Sequence, residues 1–275
     1  MKSAFKNSRG LFAGMYFVVG SFLALCGTHA AAIDPPVITM IDGQAVPPPP
    51  AAGSTVIPLS WDDPVFVSMT SASNKSYNDG AIISQKSIAD TSTGSPSVDC
   101  YGACSVDHVR IKSREGIRCN RGAVNVNWVY MEVQGNSSAG DHADGIQCNV
   151  GVGDLTAVGT VTVKNSFIQG CVGGGCNDAY FSNQACCIDH VLENVVIKGG
   201  GYGLHIGGDG GKSISLKNVY FITGSFEYEA FRLDPYANPA YGSNYRVAIK
   251  QWDNVRYATI VNGQLVMGAL IPKPY

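Results

Sequence analysis

The chain has 275 residues, a formal net charge of −2, 45% hydrophobic side chains, only 15% charged ones and 33 glycines. A chain so poor in charge, with acids slightly outnumbering bases, lacks the global positive field that holds nucleic acid, and that class of partner is excluded.

Residues 1–30 start with Lys2, Lys6 and Arg9, continue in an apolar run from Leu11 to Leu25, and lead into small residues from Thr28 to Ala32. These are the three parts of a secretory signal, with cleavage near Ala30. Leu25 is not the small residue that a lipoprotein anchor at Cys26 wants, and the apolar run falls short of the roughly 18 residues of a membrane span. The mature protein is therefore expected to be secreted or periplasmic, without membrane insertion. Losing the signal moves the formal charge from −2 to −5, so an acidic glycan is repelled at long range unless basic residues or a cation gather locally.

Eight cysteines remain after the signal: Cys100, Cys104, Cys119, Cys148, Cys171, Cys176, Cys186 and Cys187. An even count in an exported chain points to disulfides, with no pairing fixed by sequence. No two Cys-x-x-Cys pairs stand at zinc-finger spacing. Residues 31–60 are proline-rich, with Pro47 to Pro50 consecutive, and read as an extended N-terminal segment. Trp61 to Thr70 reads as the first strand region, broken by Pro64, and opens a domain over residues 61–275.

From Cys104 a degenerate repeat of the form apolar, variable, Asn-like, small or apolar, variable, apolar recurs around His108, Trp128, Asn165, Asn194, Asn218 and Asn254. Its uneven spacing suits stacked turns of chain whose insertions loop outward. Between these lie short alternating strands at 116–120, 145–149, 179–183, 203–207 and 230–234. Period-two alternation sends Ile117 and Cys119, Ile146 and Cys148, Ala179 and Phe181, Leu204 and Ile206, and Phe231 and Leu233 inward. The expected fold is all-β, a single-stranded right-handed parallel β-helix, with Ile117, Ile146, Leu204 and Phe231 stacked on successive rungs. The competing folds fit less well. Asn-Gly and Asp-Gly turns do not punctuate the repeats as sandwich hairpins require, and no amphipathic helical segment separates the strands. Cys119 and Cys148 then fall at one inward position as buried thiols, leaving bridges to the other six cysteines.

The same register sends Arg118, Gln147, Tyr180, His205 and Arg232 outward as one column, beside Asn120, Asn149, Ser182, Gly207 and Asp234. Glu115, Asp144, Asp178, Tyr202 and Glu229 stand just before the strands. Arginines, a histidine, a tyrosine and carboxylates on one strip suit a glycan, whose hydroxyls take paired donors and acceptors. An ordinary wetted sheet face is the plainer account of polar residues there.

The densest motif is D-H-A-D-G-I-Q, residues Asp141 to Gln147. Its two carboxylates and the His142 imidazole suit cation binding or proton transfer, and Asp141, Asp144, Asn149 and Asp178 begin to supply the roughly six oxygens that Ca2+ requires, although Asp144-Gly145 also suits a simple turn. Such a set permits β-elimination from a uronate unit, which needs the carboxylate charge neutralised and a base at the adjacent proton. Arg118 and Arg232 clamp the acidic polysaccharide in this reading, and His205 or Arg232 takes the proton. Gln147, Tyr180, Asp234 and His142 complete the substrate surface.

The irregular repeat, the asparagines at 165, 194, 218 and 254, and the D-G-I-Q entry into a strand resemble the pectate lyase-like superfamily of parallel β-helices, over roughly residues 100–260. That resemblance implies a carbohydrate-active or glycan-binding protein: calcium-dependent lyases, hydrolases, epimerases and non-catalytic surface proteins all share the fold. Among the hydrolases, the polygalacturonase signature of Asn-Thr-Asp, Asp-Asp, Gly-His-Gly and Arg-Ile-Lys is met in order but degraded. Ala143-Asp144, Asn177-Asp178, Leu204-His205-Ile206 and Arg232-Leu233-Asp234 stand in those places. The resemblance leaves three activities open: elimination, inverting hydrolysis by Asp144 and Asp178, and glycan binding without turnover.

Overall fold

The computed structural model describes residues 57–148, 159–171, 175–182, 187–207, 212–234 and 246–275, plus the backbone of 40–41 and 44–45. For Cys187 and Ile188 it describes backbone alone. The secretory signal expected over 1–30 and most of the proline-rich segment lie outside these residues. The chain divides into two units, 1–49 and 50–275. What is described of the first is an antiparallel pair, β1 (Met40–Ile41) with β2 (Gln44–Ala45).

The second unit is all-β. Among the described residues its one helical element is a single 3-10 turn, Ser137–Ala139, capped by Asn136 and by Gly140 in the left-handed region. Seven short strands form one parallel sheet: β4 (Lys75–Asn78), β6 (Pro96–Tyr101), β8 (Glu115–Arg121), β10 (Ile146–Cys148), β12 (Tyr180–Ser182), β14 (Tyr202–Gly207) and β16 (Glu229–Asp234). The second sheet begins with β3 (Thr70–Ala72), β5 (Ala81–Asp90), β7 (Cys104–Ser113), β9 (Val124–Val133), β11 (Gly159–Gln169), β13 (Cys187–Lys198) and β15 (Ser213–Ile222). It ends with β17 (Ala248–Asp253) and β18 (Arg256–Val261), both paired to β15, and with β19 (Gln264–Leu270) turned antiparallel on β18. From β3 to β16 the chain alternates between the two sheets, and each new strand lies parallel to its predecessor in that sheet.

The Asn-like positions of the repeat explain the bend in each long strand. Gln85, His108, Trp128, Asn165, Asn194, Asn218 and Asn254 all have φ between 47° and 55°. Left-handed backbone costs most L-residues roughly 1–2 kcal/mol, and asparagine tolerates it best. The asparagines also bond one another across strands. Asn165 Nδ2 donates to Asn127 Oδ1 (3.0 Å), Asn194 to Asn165 (3.1 Å), Asn218 to Asn194 (2.8 Å) and Asn254 to Asn218 (2.7 Å). Where the position holds His108 and Trp128, the rings stack instead, 6.0 Å apart.

The core lies between the sheets and is built from in-register ladders. Ile117 pairs with Ile146, Ile146 with Tyr180, Tyr180 with Leu204, and Leu204 with Phe231. The four predicted residues therefore share one inward ladder, with Phe231 packed against it at the end where it is only partly covered. Each fully buried aliphatic side chain contributes about 1.5–3 kcal/mol relative to exposure.

At β12 the structure corrects the predicted register. Tyr180 and Ser182 point inward, and Phe181 takes the outward place in register with Gln147 and His205. A one-residue slip exchanges the two faces. The inward tyrosine is satisfied because its hydroxyl meets His190 Nδ1 at 2.7 Å; Ser182 Oγ lies 3.3 Å from His190 Nε2, and Lys212 Nζ donates to the Ser182 carbonyl (2.8 Å). A buried phenol needs such a partner, and this core supplies one.

Residues 61–69 form turns rather than the expected strand, which begins at Thr70. Ile57, Leu59, Trp61, Val65 and Phe66 pack with Tyr130, Phe167, Val196 and Tyr220 into a second apolar cluster. The packed domain thus includes residues before Trp61.

The cysteines also depart in part from expectation. Cys171 and Cys176 form a disulfide, with Cα atoms 5.5 Å apart. Cys100 and Cys104, expected among the bridges, are buried free thiols. Cys119 and Cys148 stand in register in the core, as expected, and are not bridged to one another. Cys186 and the Cys187 side chain lie outside the described residues.

Candidate functional site

The outer face of the short-strand sheet carries one continuous column. Register places Ser76, Asp99, Arg118, Gln147, Phe181, His205 and Arg232 on successive strands from β4 to β16. Seven strands at about 4.8 Å spacing make a strip roughly 29 Å long.

The chemistry concentrates where β12, β14 and β16 meet. His205 bridges two carboxylates: Nδ1 lies 3.0 Å from Asp178 Oδ2, and Nε2 lies 2.9 Å from Asp234 Oδ2. Asp234 Oδ1 accepts from Arg232 Nε at 2.5 Å, and Arg232 Nη1 donates to the Tyr202 hydroxyl at 2.8 Å. The guanidinium also lies over the Tyr202 ring, 5.2 Å from its centroid. Tyr202 returns the network to its start, since its backbone N–H donates to Asp178 Oδ1 at 2.7 Å. Its ring lies 5.2 Å from that of His205 and 5.3 Å from that of Tyr228, which is 64% exposed. Phe181 packs edge-on against His205, at 5.3 Å.

This network sets the charge states. Burial pulls the His205 imidazolium towards neutrality, but the hydrogen bonds and charges of Asp178 and Asp234 outweigh it and raise the pKa above the ordinary histidine value. Burial raises Asp234, while Arg232 and His205 more than offset it and hold the carboxylate below its usual range. Asp234 and the Tyr202 hydroxyl push the Arg232 guanidinium further up. Arg232 is thus a fixed cation, which removes it as the predicted base and keeps it as the neutraliser of an anion.

Asp144, predicted beside Asp178, lies beneath the site. It is wholly buried; Oδ1 accepts from the Asp178 N–H (2.9 Å) and Oδ2 from Asn177 Nδ2 (3.5 Å). Burial, aided by the nearby Asp178 charge, raises its pKa well above the ordinary carboxylate value, and its Oδ1 holds the Asp178 backbone N–H. Fully covered, it is out of reach of a sugar, which corrects its predicted catalytic role.

The remaining predicted residues sort by position. Arg118 makes a bidentate pair with Glu115 (2.6 and 2.9 Å from Nη2) and bonds Gln147 Oε1 at 3.0 Å, three strands from His205 along the column. Tyr180 is in the core and cannot touch substrate. Asp141 is turned to Arg114, which engages both its oxygens, and accepts from the Asn136 N–H at 2.7 Å. His142 is exposed beside it, and Asn149 lies outside the described residues.

This arrangement does not fit the calcium set of Asp141, Asp144, Asn149 and Asp178. Among the described members, every carboxylate oxygen already meets an N–H donor or His205, and Asp141 is held apart by Arg114.

Sequence reasoning assigned Tyr202 no role, although its place just before the strand was visible. What singles it out is the reach of its hydroxyl to Arg232, two residue types whose contact depends on the register between β14 and β16. No protein-family model, curated protein or solved structure matches this chain.

Proposed function

We propose that the chain is a secreted right-handed parallel β-helix that cleaves a uronate-containing polysaccharide by β-elimination on the outer face of the short-strand sheet. The alternation of parallel strands between two sheets, with bent long strands and an asparagine ladder, supports the helical architecture. The observation that supports the reaction is the contact cluster of Arg232, Tyr202 and His205. Elimination needs three groups: a cation on the uronate carboxylate, a base at the proton beside it, and a donor to the departing glycosidic oxygen.

Arg232 supplies the cation without a metal. His205, once it has released its proton, supplies the base, and the Tyr202 hydroxyl supplies the donor. The base takes the C5 proton, the electron pair forms the C4–C5 double bond, and the C4–O bond breaks as its oxygen is protonated. Asp178 positions His205 through Nδ1, and the exposed Tyr228 offers an aromatic face to the next sugar. A second reading, glycan binding without turnover, is favoured by one observation: both His205 nitrogens are already held by carboxylates.

The test is a panel of uronate polysaccharides assayed for absorbance near 235 nm and for reducing ends, with and without a chelator. Absorbance that survives chelation and is lost in Arg232→Ala and Tyr202→Phe supports elimination. Reducing ends without absorbance would transfer the reaction to hydrolysis, and binding without either signal would establish the second reading.

A further inference from the structure

Asp234 stands where a substrate carboxylate belongs. One of its oxygens is held by Arg232 Nε (2.5 Å) and the other by His205 Nε2 (2.9 Å), the two groups that the elimination just proposed assigns to a uronate. The backbone explains how it gets there. Asp234 closes β16 one column over from Arg232, and its in-register neighbour on β14 is Gly207, which has no side chain to occupy that position. The carboxylate therefore leans across to the His205–Arg232 column. Asp178, the other carboxylate on His205, is almost fully buried and pinned by the Tyr202 N–H, whereas a quarter of the Asp234 side chain faces solvent. Of the two, Asp234 is the displaceable one.

We infer that Asp234 is a built-in competitor for the uronate carboxylate, occupying Arg232 and His205 until a substrate carboxylate takes its place. The inference rests on the elimination reading and names the regulation of that same site. A substrate whose only contact is its carboxylate exchanges one anion for another and gains little. A polymer gains from its further contacts along the column, so the device selects extended chains over free uronic acids. Displacement also frees Nε2, the nitrogen that must face the C5 proton. The competitor and the idle base are released in one event.

The experiment compares wild type with Asp234→Asn and Asp234→Ala, using uronate oligosaccharides, free galacturonate and a neutral oligosaccharide as probes. Affinities are read by calorimetry, and the His205 titration midpoint by NMR of the imidazole carbons. Among the described residues His205 faces Asp178, Asp234, Tyr202 and Phe181, with Arg232 behind Asp234, so removal of the Asp234 charge is expected to lower its midpoint while Asp178 still holds Nδ1. Free galacturonate and the oligosaccharides should bind at least about tenfold tighter to both variants, the worth of one charge-assisted hydrogen bond, with the neutral probe unchanged. Asp234→Ala guards against an asparagine that keeps the contact, and a thermal melt of each variant confirms folding. Weaker or unchanged uronate affinity in folded variants, with the wild type still binding the oligosaccharides, overturns the competitor and leaves the elimination reading standing. Absence of uronate binding in all three proteins overturns both.

Discussion

Asn194 and Asn218 sit in register at the bends of neighbouring long strands, both with left-handed backbone, and the Asn218 side-chain amide Nδ2 donates to Asn194 Oδ1 at 2.8 Å. Asn194 in turn donates to Asn165 at 3.1 Å, so it joins two bonds of the ladder. Asn194→Ala forfeits both bonds and places a less tolerant residue in left-handed backbone. The expected cost is about 2–4 kcal/mol by denaturant unfolding. Asn194→Gly forfeits the same two bonds but relieves the left-handed backbone, so its cost should fall between those of wild type and alanine; a glycine variant as unstable as alanine would show that the lost amide bonds account for the whole effect.

Ile146 lies in the middle of the inward ladder, between Ile117 and Tyr180. Ile146→Ala should cost about 2–5 kcal/mol through the cavity it leaves. Ile146→Asp buries an unpartnered charge, and the expected result is loss of the cooperative unfolding transition.

Tyr180 and Phe181 have exchanged roles relative to the simplest alternation. Tyr180→Phe leaves His190 without its 2.7 Å contact to the phenol and should destabilise by about 1–3 kcal/mol while uronate affinity stays unchanged. Phe181→Ala should alter affinity through His205, whose ring it supports. Equal effects of both substitutions on binding would argue that the wrong aromatic has been placed on the outer face.

The raised His205 pKa sets the direction of two pH dependences. Elimination requires the neutral imidazole, so the rate should climb as pH rises through the folded-state value, above the ordinary 6.5. The stability that His205 contributes as a cation runs the opposite way. It is fully present below the unfolded value and is lost as pH rises through the folded one. A rate profile that falls over that same range would exclude His205 as the base.

Asp144 gives a separate stability signature. Its pKa is raised above the unfolded 3.8, so the folded state binds the extra proton and stability declines as pH climbs past 3.8 through the folded value. Asp144→Asn keeps an acceptor for the Asp178 N–H and removes that titration. Its melting temperature at pH 8 should equal or exceed that of wild type, with a flatter pH profile; a large loss at pH 8 would mean that the carboxylate is needed ionised.

Much of this fold was legible in the residues. The Asn-like positions of the repeat fall at the left-handed bends, because asparagine is the side chain that best tolerates that backbone, and they could be found even where His108 and Trp128 replace it. Ile117, Ile146, Leu204 and Phe231 were legible because each alternates with a polar or small neighbour, which leaves one choice of inward face. The β12 register was not: in A-Y-F-S-N either aromatic can face the core, and the decision rests with His190, eight to ten residues away. The site was legible as a strip, through Arg118, Gln147, His205 and Arg232, but not as a network. Which carboxylate meets which cation depends on side-chain reach across strands. That reach turned Asp234 from a minor contact into a partner of both His205 and Arg232, and turned Asp141 away to Arg114.

The Asn-like positions are separated by anything from 20 to 37 residues, yet every long strand bends at the same register. The ladders therefore count strands and are indifferent to the length of chain between them. A gene carrying such a protein can gain or lose a whole repeat near β5 or β7 with little penalty, since the next strand finds an equivalent aliphatic neighbour. The same event between β12 and β16 would separate Asp178, His205 and Asp234, which stand on or just before three neighbouring strands of the short-strand sheet. Drift in length should thus be permitted near β5 and β7 and purged between β12 and β16; length changes spread evenly over both regions of related sequences would contradict this.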